Sequence, residues 1–164
     1  MKRMWSPWRS RYIQSFKGPA KKGKKGRSLF SAARASRDDR KNLVLWRGKY
    51  CFVIMNRYPY NSGHLMIVPN RQTPALLDLT PSEMTEIMET VQKAMRALDA
   101  VMAPQGYNFG ANVGRAAGAG IDEHIHFHLV PRWNGDTNFM PVLSETKLIS
   151  EDMAATWKKL RARM

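Results

Sequence analysis

The stretch that decides the fold runs from Glu123 to Arg132 and reads Glu-His-Ile-His-Phe-His-Leu-Val-Pro-Arg. It holds three of the chain's four histidines, and they occupy every second position. Because side chains alternate between the two faces of a β-strand, this spacing predicts a strand over 124–130 with all three imidazoles on one face. The apolar residues between them point into the core, so histidine alone lines the solvent-facing side.

The regions before this strand predict further strands and hence an α+β fold built on an antiparallel sheet. Residues 49–56 and 64–69 are rich in strand formers, and the turn residues between them predict a hairpin with a longer loop. Residues 107–112 read as another strand. The Gly/Ala-rich stretch 113–120 then predicts a loop that leads into the histidines.

Two helices are predicted, one long and one short. Thr80 and Glu83 form a capping-box pattern around Pro81, and apolar residues continue at helical spacing to Met102. Residues 150–160 predict a short C-terminal helix, with Ser150 as its cap.

Positive charge is concentrated in the first third of the 164-residue chain. Residues 1–49 hold 16 of the 27 lysines and arginines and two acidic residues, whereas 50–164 are balanced. The Gly/Lys-rich run 17–27 cannot build a core, so we expect a partly flexible basic arm over 1–41 and a folded domain over 42–164. The arm is either a solvated linker or a segment that attracts nucleic acid or another polyanion.

The composition excludes several classes of protein. A single cysteine, Cys51, rules out an internal disulfide and a cysteine-built zinc site. No apolar run is long enough to span a membrane, and the basic N-terminus lacks the apolar stretch of a signal peptide. A cytoplasmic location is therefore expected.

Three imidazoles on one face allow four interpretations. They could be incidental surface residues, ligands of a metal with Asp122 as a further donor, general acid–base groups, or a nucleophile with its supporting groups. The glycines of the 113–120 loop let backbone N–H groups turn toward an anion. A phosphate held against a nucleophilic imidazole is the interpretation that this combination favours.

These residues resemble the histidine triad (HIT) family. The run 124–130 fits the pattern of three histidines separated by apolar residues. Residues 56–69 look like the family's upstream hairpin, and 112–122 look like its phosphate loop. Met4–Arg9 and Pro131–Phe139 further resemble the bacterial branch that includes diadenosine tetraphosphate phosphorylases, also named ATP adenylyltransferases. The domain over 42–164 would then be a HIT domain with a C-terminal extension.

The resemblance implies a catalytic role for each histidine. His126 would attack the α-phosphorus of a nucleotide and form a nucleotidyl-histidine intermediate. His128 would donate to a phosphate oxygen, His124 would complete the hydrogen-bonded network, and His64 would support it.

The resemblance also implies a set of nucleotide contacts. Asn56 would bind the ribose, and Ile54 and Met66 would line the base pocket. The phosphates would be held by Asn112 and by the backbone around Gly118, Gly120 and Ile121.

The implied activity is cleavage of a dinucleoside polyphosphate by a homodimer, with no resident metal or cofactor and with a phosphorylase favoured over a hydrolase. The alternative is a nucleotide-binding regulatory module whose basic arm docks on nucleic acid or an acidic partner.

Two positions depart from the family's patterns. Gly120 stands where some hydrolases carry a glutamine, so the leaving-group side must be served differently. Ser28-Leu-Phe-Ser31 stands where many bacterial relatives carry Cys-x-x-Cys, so no structural zinc and a looser segment are expected there.

Overall fold

A computed structural model describes residues 28–137 and 151–164. Apart from Thr137, these residues belong to one compact unit. Its elements, in chain order, are α1 Leu29–Ala35, α2 Asp39–Asn42, β1 Val44–Arg47, β2 Cys51–Met55, β3 Leu65–Pro69, α3 Pro81–Met102, β4 Gly106–Gly110, β5 Phe127–Arg132 and α4 Met153–Arg161. Short 3₁₀ turns lie at Leu76–Asp78 and Arg115–Ala117.

The five strands form one sheet in the order β1-β2-β3-β5-β4, and every pair is antiparallel. The predicted α+β class, with one long helix and a short C-terminal helix, is confirmed. Strand β1 is an element that the sequence patterns did not indicate. The predicted start of the histidine strand is wrong, because pairing begins at Phe127 and leaves 124–126 outside the ladder.

Helix α3 covers one face of the sheet. Thr80 and Glu83 make the predicted capping box, and Pro81 is the first helical residue. The helix buries Ile87, Val91 and Leu98 in an apolar cluster with alternate residues of β2 and β3. Its start and period were therefore readable in the sequence, and both are confirmed.

Helix α4 packs near the same cluster through Leu160, which is fully buried. Its N-cap is Asp152, whose carboxylate accepts from the Ala155 amide. The Trp157 indole N–H donates to the Val44 carbonyl at 3.1 Å, which ties the helix to β1. The predicted cap Ser150, like the basic run 17–27, lies outside the described residues.

Helix α1 covers the opposite face of the sheet. Phe30 and Ala33 are buried there in a second apolar cluster that includes Ile54 and Met66. The predicted looseness of this segment is wrong, since Phe30 is 1% exposed and Ser28 is 2% exposed. The folded unit thus includes residues from the predicted arm. None of the described helices combines the length and apolarity needed to cross a bilayer.

Candidate active site

The face covered by α1 carries a row of paired residues that crosses the sheet. Ile54 pairs with Met66, Met66 pairs with His128, and His128 pairs with Gly110. Since directly paired residues point to the same side, His128 stands beside the two apolar side chains predicted for a base pocket. Both of these, Ile54 and Met66, are buried beneath α1.

A chain of hydrogen bonds sets the proton positions of two histidines. The Tyr60 backbone N–H donates to Nδ1 of His64 at 3.0 Å, so Nδ1 must accept and Nε2 must carry the proton. Nε2 of His64 lies 2.9 Å from Nδ1 of His128 and donates to it. The proton of neutral His128 is therefore on Nε2, a buried atom with no hydrogen-bond partner among the described residues.

His126 has the opposite arrangement. Its Nδ1 lies 3.0 Å from the carbonyl oxygen of His124. Because a carbonyl only accepts, Nδ1 carries the proton and Nε2 holds a lone pair. That Nε2 makes no hydrogen bond to any described residue, and the ring lies 4.9 Å from that of His128 between centroids. A nucleophilic nitrogen and a donating N–H therefore sit side by side.

His124 is held at both ring nitrogens. Nε2 donates to the Pro69 carbonyl at 2.9 Å, and Nδ1 lies 2.7 Å from the hydroxyl of Ser28. The ring is fully buried, and that of His126 is 5% exposed. The predicted solvent-facing row of histidines is thus wrong, because α1 covers the face that alternation alone leaves open.

Burial decides the charge of all four imidazoles. It lowers the pKa of His64 to about 3 and that of His128 to about 4, with repulsion from neighbouring imidazoles adding to the effect. Burial also lowers the pKa values of His124 and His126. All four rings are therefore neutral at pH 7, which keeps the lone pair of His126 available.

Aromatic rings flank the histidines on both sides. Phe30 of α1 lies 4.9 Å from the ring of His126 and 5.7 Å from that of His124. Tyr60 stacks on His128 at 5.6 Å and tilts over His64 at 4.6 Å. These rings pack against the imidazoles, whose burial lowers their pKa values.

The glycine loop before His124 is a tight turn. Gly114 and Gly118 have φ values of +79° and +92°, which glycine adopts without strain. They enclose the 3₁₀ turn that starts at Arg115, whose Nε donates to Asp122 at 2.5 Å. This ion pair joins the start of the loop to its end.

The predicted phosphate contacts lie in and around this loop. A Cβ on Gly118 would be 4.0 Å from the side-chain nitrogen of Asn112. Ile121 packs against the cluster under α1, and Gly120 is exposed. The predicted ribose contact, Asn56, lies at the other end of the site, where its amide contacts Nδ1 of His64 at 3.3 Å.

Sequence patterns missed three side chains at this site. Ser28 and Phe30 lie nearly 100 residues from the histidines that they touch, so no local spacing could reveal the contact. Tyr60 lies in the hairpin loop, where turn chemistry was the only visible signal. Among residues 28–137 and 151–164, no three His, Cys, Asp or Glu side chains are grouped to hold a metal ion.

The sequence profile of the HIT domain matches residues 37–135, which hold all four histidines. The chain belongs to the HIT family. The predicted membership of this family is confirmed.

Relatives of this HIT protein include enzymes and solved structures. AP-4-A phosphorylase of Mycobacterium tuberculosis is 39% identical over 98% of this chain and 83% of its own length. The asymmetrical bis(5'-nucleosyl)-tetraphosphatase of Schizosaccharomyces pombe is 34% identical over 57% of this chain and 50% of its own length. A zinc-bound histidine triad protein from Mycobacterium smegmatis has the same fold, with a TM-score of 0.63 and 24% identity over 82% of this chain and 88% of that one.

Proposed function

We propose that this HIT protein is an enzyme that cleaves a dinucleoside polyphosphate through a nucleotidyl intermediate on His126. The observation that carries the proposal is the buried, unpartnered Nε2–H of His128 beside a ring whose Nε2 holds a lone pair. A buried donor without a partner is costly in a resting protein. It becomes favourable when a phosphate oxygen arrives to accept it.

The first step forms a bond between Nε2 of His126 and the α-phosphorus. The lone pair attacks, the bond from phosphorus to the leaving oxygen breaks, and the nucleoside polyphosphate departs with that electron pair. The Nδ1 proton of His126 stays bonded to the His124 carbonyl, which stabilises the charge that the ring acquires. His128 donates to a non-bridging oxygen as negative charge develops on it.

The second step transfers the nucleotidyl group to an acceptor. An oxygen of inorganic phosphate or of water attacks phosphorus, and the bond to Nε2 breaks with its electron pair returning to His126. An ionised phosphate oxygen has no proton to lose, whereas an attacking water releases one to solvent. Phosphate as the acceptor makes the enzyme a phosphorylase, and water makes it a hydrolase. The near full-length similarity to AP-4-A phosphorylase supports the phosphorylase, since similarity to the yeast tetraphosphatase covers little more than half of the chain.

The nucleotide contacts follow from the same placement. Asn56 reaches the His64 end of the site and would bind the ribose. The base would pack beside Ile54 and Met66 and against Phe30, which belongs to the same apolar cluster. The phosphates would meet Asn112 and the backbone of Gly118, Gly120 and Ile121.

The predictions of a homodimer, of the domain division, of the location and of a nucleic-acid partner also stand as proposals. A homodimer would pair the edge of β4, which is exposed over its last three residues, Asn108 to Gly110. The arm over 1–41 and the HIT domain over 42–164 stay a prediction, with Phe30 and Ala33 of the arm buried on the folded unit. The cytoplasmic location and a nucleic-acid partner for the arm rest on sequence alone.

Products formed from diadenosine tetraphosphate test the proposal. The purified protein is incubated with this substrate, with and without inorganic phosphate, and the nucleotides are separated by ion exchange. ADP and ATP formed only with phosphate support the phosphorylase. AMP and ATP formed in both conditions identify a hydrolase, whereas retained nucleotide binding with no turnover of any dinucleoside polyphosphate would support the binding module.

A further inference from the structure

The residues just before β5 are held by contacts outside the sheet ladder. The pairing of β5 with β3 ends at Phe127. Upstream of it, the Ile125 amide donates to the Thr73 carbonyl at 2.7 Å, and His124 donates to the Pro69 carbonyl at 2.9 Å. A side-chain hydrogen bond from outside the sheet joins Ser28 and His124 at 2.7 Å, and Phe30 contacts the His124 and His126 rings. The position of the His124 backbone therefore depends on α1 as well as on the sheet.

The direction of the Ser28 hydrogen bond is determined by its surroundings. Nε2 of His124 faces a carbonyl and must carry the proton, so Nδ1 must accept. The Ser31 hydroxyl, 3.1 Å from that of Ser28, uses its own proton on the Gln72 side-chain oxygen at 2.8 Å. Of the two acceptors within reach of the Ser28 hydroxyl, Nδ1 of His124 at 2.7 Å is nearer than the Ser31 oxygen at 3.1 Å and has no other donor among the described residues, so the hydroxyl donates to His124. Its oxygen accepts from the Ser31 amide as the N-cap of α1.

We propose that Ser28 is a positioning residue for His126, acting through His124. The Ser28 hydroxyl fixes the imidazole of His124, and the carbonyl of the same residue holds the proton on Nδ1 of His126. With that carbonyl displaced, the neutral His126 ring can carry its proton on Nε2 instead, and the nucleophilic lone pair is lost. The role of the lone pair rests on the proposed function, whereas the effect on the proton position does not.

The coupling makes the docking of α1 part of the assembly of the site. Phe30, two residues after Ser28, contacts the rings of both His124 and His126. The same helix turn thus supplies a hydroxyl to one histidine and an aromatic wall to two. A site with α1 undocked would keep its histidines but lose the arrangement that makes Nε2 of His126 a nucleophile.

Ser28→Ala tests the proposal, with Ser31→Ala as its matched control. Both variants lose a serine hydroxyl at the N-terminal end of α1, but only the Ser28 hydroxyl contacts His124, whereas that of Ser31 donates to Gln72. We expect Ser28→Ala to lower kcat roughly 10- to 100-fold, as loss of a side chain that orients a site residue commonly does. KM should stay within about twofold, because the substrate contacts remain. Ser28→Thr keeps the hydroxyl and should restore most of the rate.

The proton position is measured directly and without substrate. Nitrogen-15 NMR of the imidazoles should show the Nδ1–H form of His126 in the natural protein and in Ser31→Ala, and a mixture of the two forms in Ser28→Ala. Ser28→Gly provides the same test if the alanine variant does not fold, since glycine is nearly as good an N-cap. A proton unchanged on Nδ1 in these variants, or equal rate losses in Ser28→Ala and Ser31→Ala, would overturn the proposal. A natural protein without turnover of any dinucleoside polyphosphate refutes the proposed function and leaves the NMR test intact.

Discussion

The two helices that cover the sheet are held in different ways. Helix α3 has 22 residues and a complete capping box of its own, and it packs on a largely apolar face. Helix α1 has seven residues, too few to be stable in isolation. It is held by the burial of Phe30 and by the contacts of Ser28 with His124 and Gln72.

The difference gives the two faces different roles. The face under α3 is a scaffold, and the face under α1, which carries the histidines, is the working face. The face under α3 is stabilised by burial, which depends on volume and apolarity and tolerates many side chains. The face under α1 buries neutral histidines, and each depends on a particular donor or acceptor. Changes on the first face should therefore alter stability, whereas changes on the second should alter chemistry and local order.

The largest effect is expected from His126→Ala. Removal of the nucleophile should lower turnover of diadenosine tetraphosphate by about 10⁴-fold or more, as loss of a covalent nucleophile does elsewhere. Nucleotide binding, measured by calorimetry, should persist, because the predicted base and phosphate contacts remain. Activity within tenfold of the natural protein would place the nucleophile on another side chain.

The next prediction compares how a truncated side chain on each face changes the free energy of unfolding and the hydrogen exchange. Phe30→Ala should remove about 3–5 kcal/mol of packing energy, and Ile87→Ala should remove about 2–5 kcal/mol. Because α1 is short, Phe30→Ala should speed hydrogen exchange in Leu29–Ala35 and leave the amides of α3 protected. Ile87→Ala should instead lower the protection of the whole sheet.

The comparison of these two variants has a clear failing outcome. If hydrogen exchange in α1 and α3 rises together in Phe30→Ala, then α1 is as much a part of the cooperative scaffold as α3. The exposed Met88, changed to Ala, serves as a control on α3 that should shift stability by no more than about 0.5 kcal/mol.

The smallest effect is a pH dependence that comes from the working face. The unfolded chain binds protons on histidine near pH 6.5, whereas the folded chain resists doing so until the lower pKa values of His64 and His128. The stabilisation contributed by the neutral histidines is thus fully present above pH 6.5 and is lost as the pH falls. The lowered pKa of His64 alone should reduce the free energy of unfolding by about 2 kcal/mol between pH 7 and pH 5.

Urea unfolding at pH 7, 6 and 5 measures this loss. The carboxylates with lowered pKa values, such as Glu83 at about 2, lose their contribution only at lower pH. His64→Gln should flatten the slope between pH 6.5 and 5. A free energy of unfolding that is constant between pH 7 and 5 would contradict the neutral, buried state of these histidines.

The scaffold under α3 could be predicted from the sequence more completely than the working face under α1. The capping box, the helical period of α3 and the hairpin were readable because their signals lie within a few residues. Alternation placed the three imidazoles on one side, but it could not show that α1 would cover them. Residues 124–126 lie outside the strand pairing, and what holds them comes from residues 52, 55 and 96 positions away in the chain.

The order of donors from Tyr60 through His64 to His128 begins at a backbone amide, which cannot lose its proton near neutral pH. If Nε2 of His128 gave up its proton, His64 could not supply another through Nδ1 of His128, because the backbone amide that donates to His64 keeps its own proton. His128 can therefore polarise an oxygen but cannot act as an acid. Under the proposed mechanism a leaving group would depart as a stable anion, and we expect anhydrides with a phosphate terminus to be better substrates than simple alkyl esters.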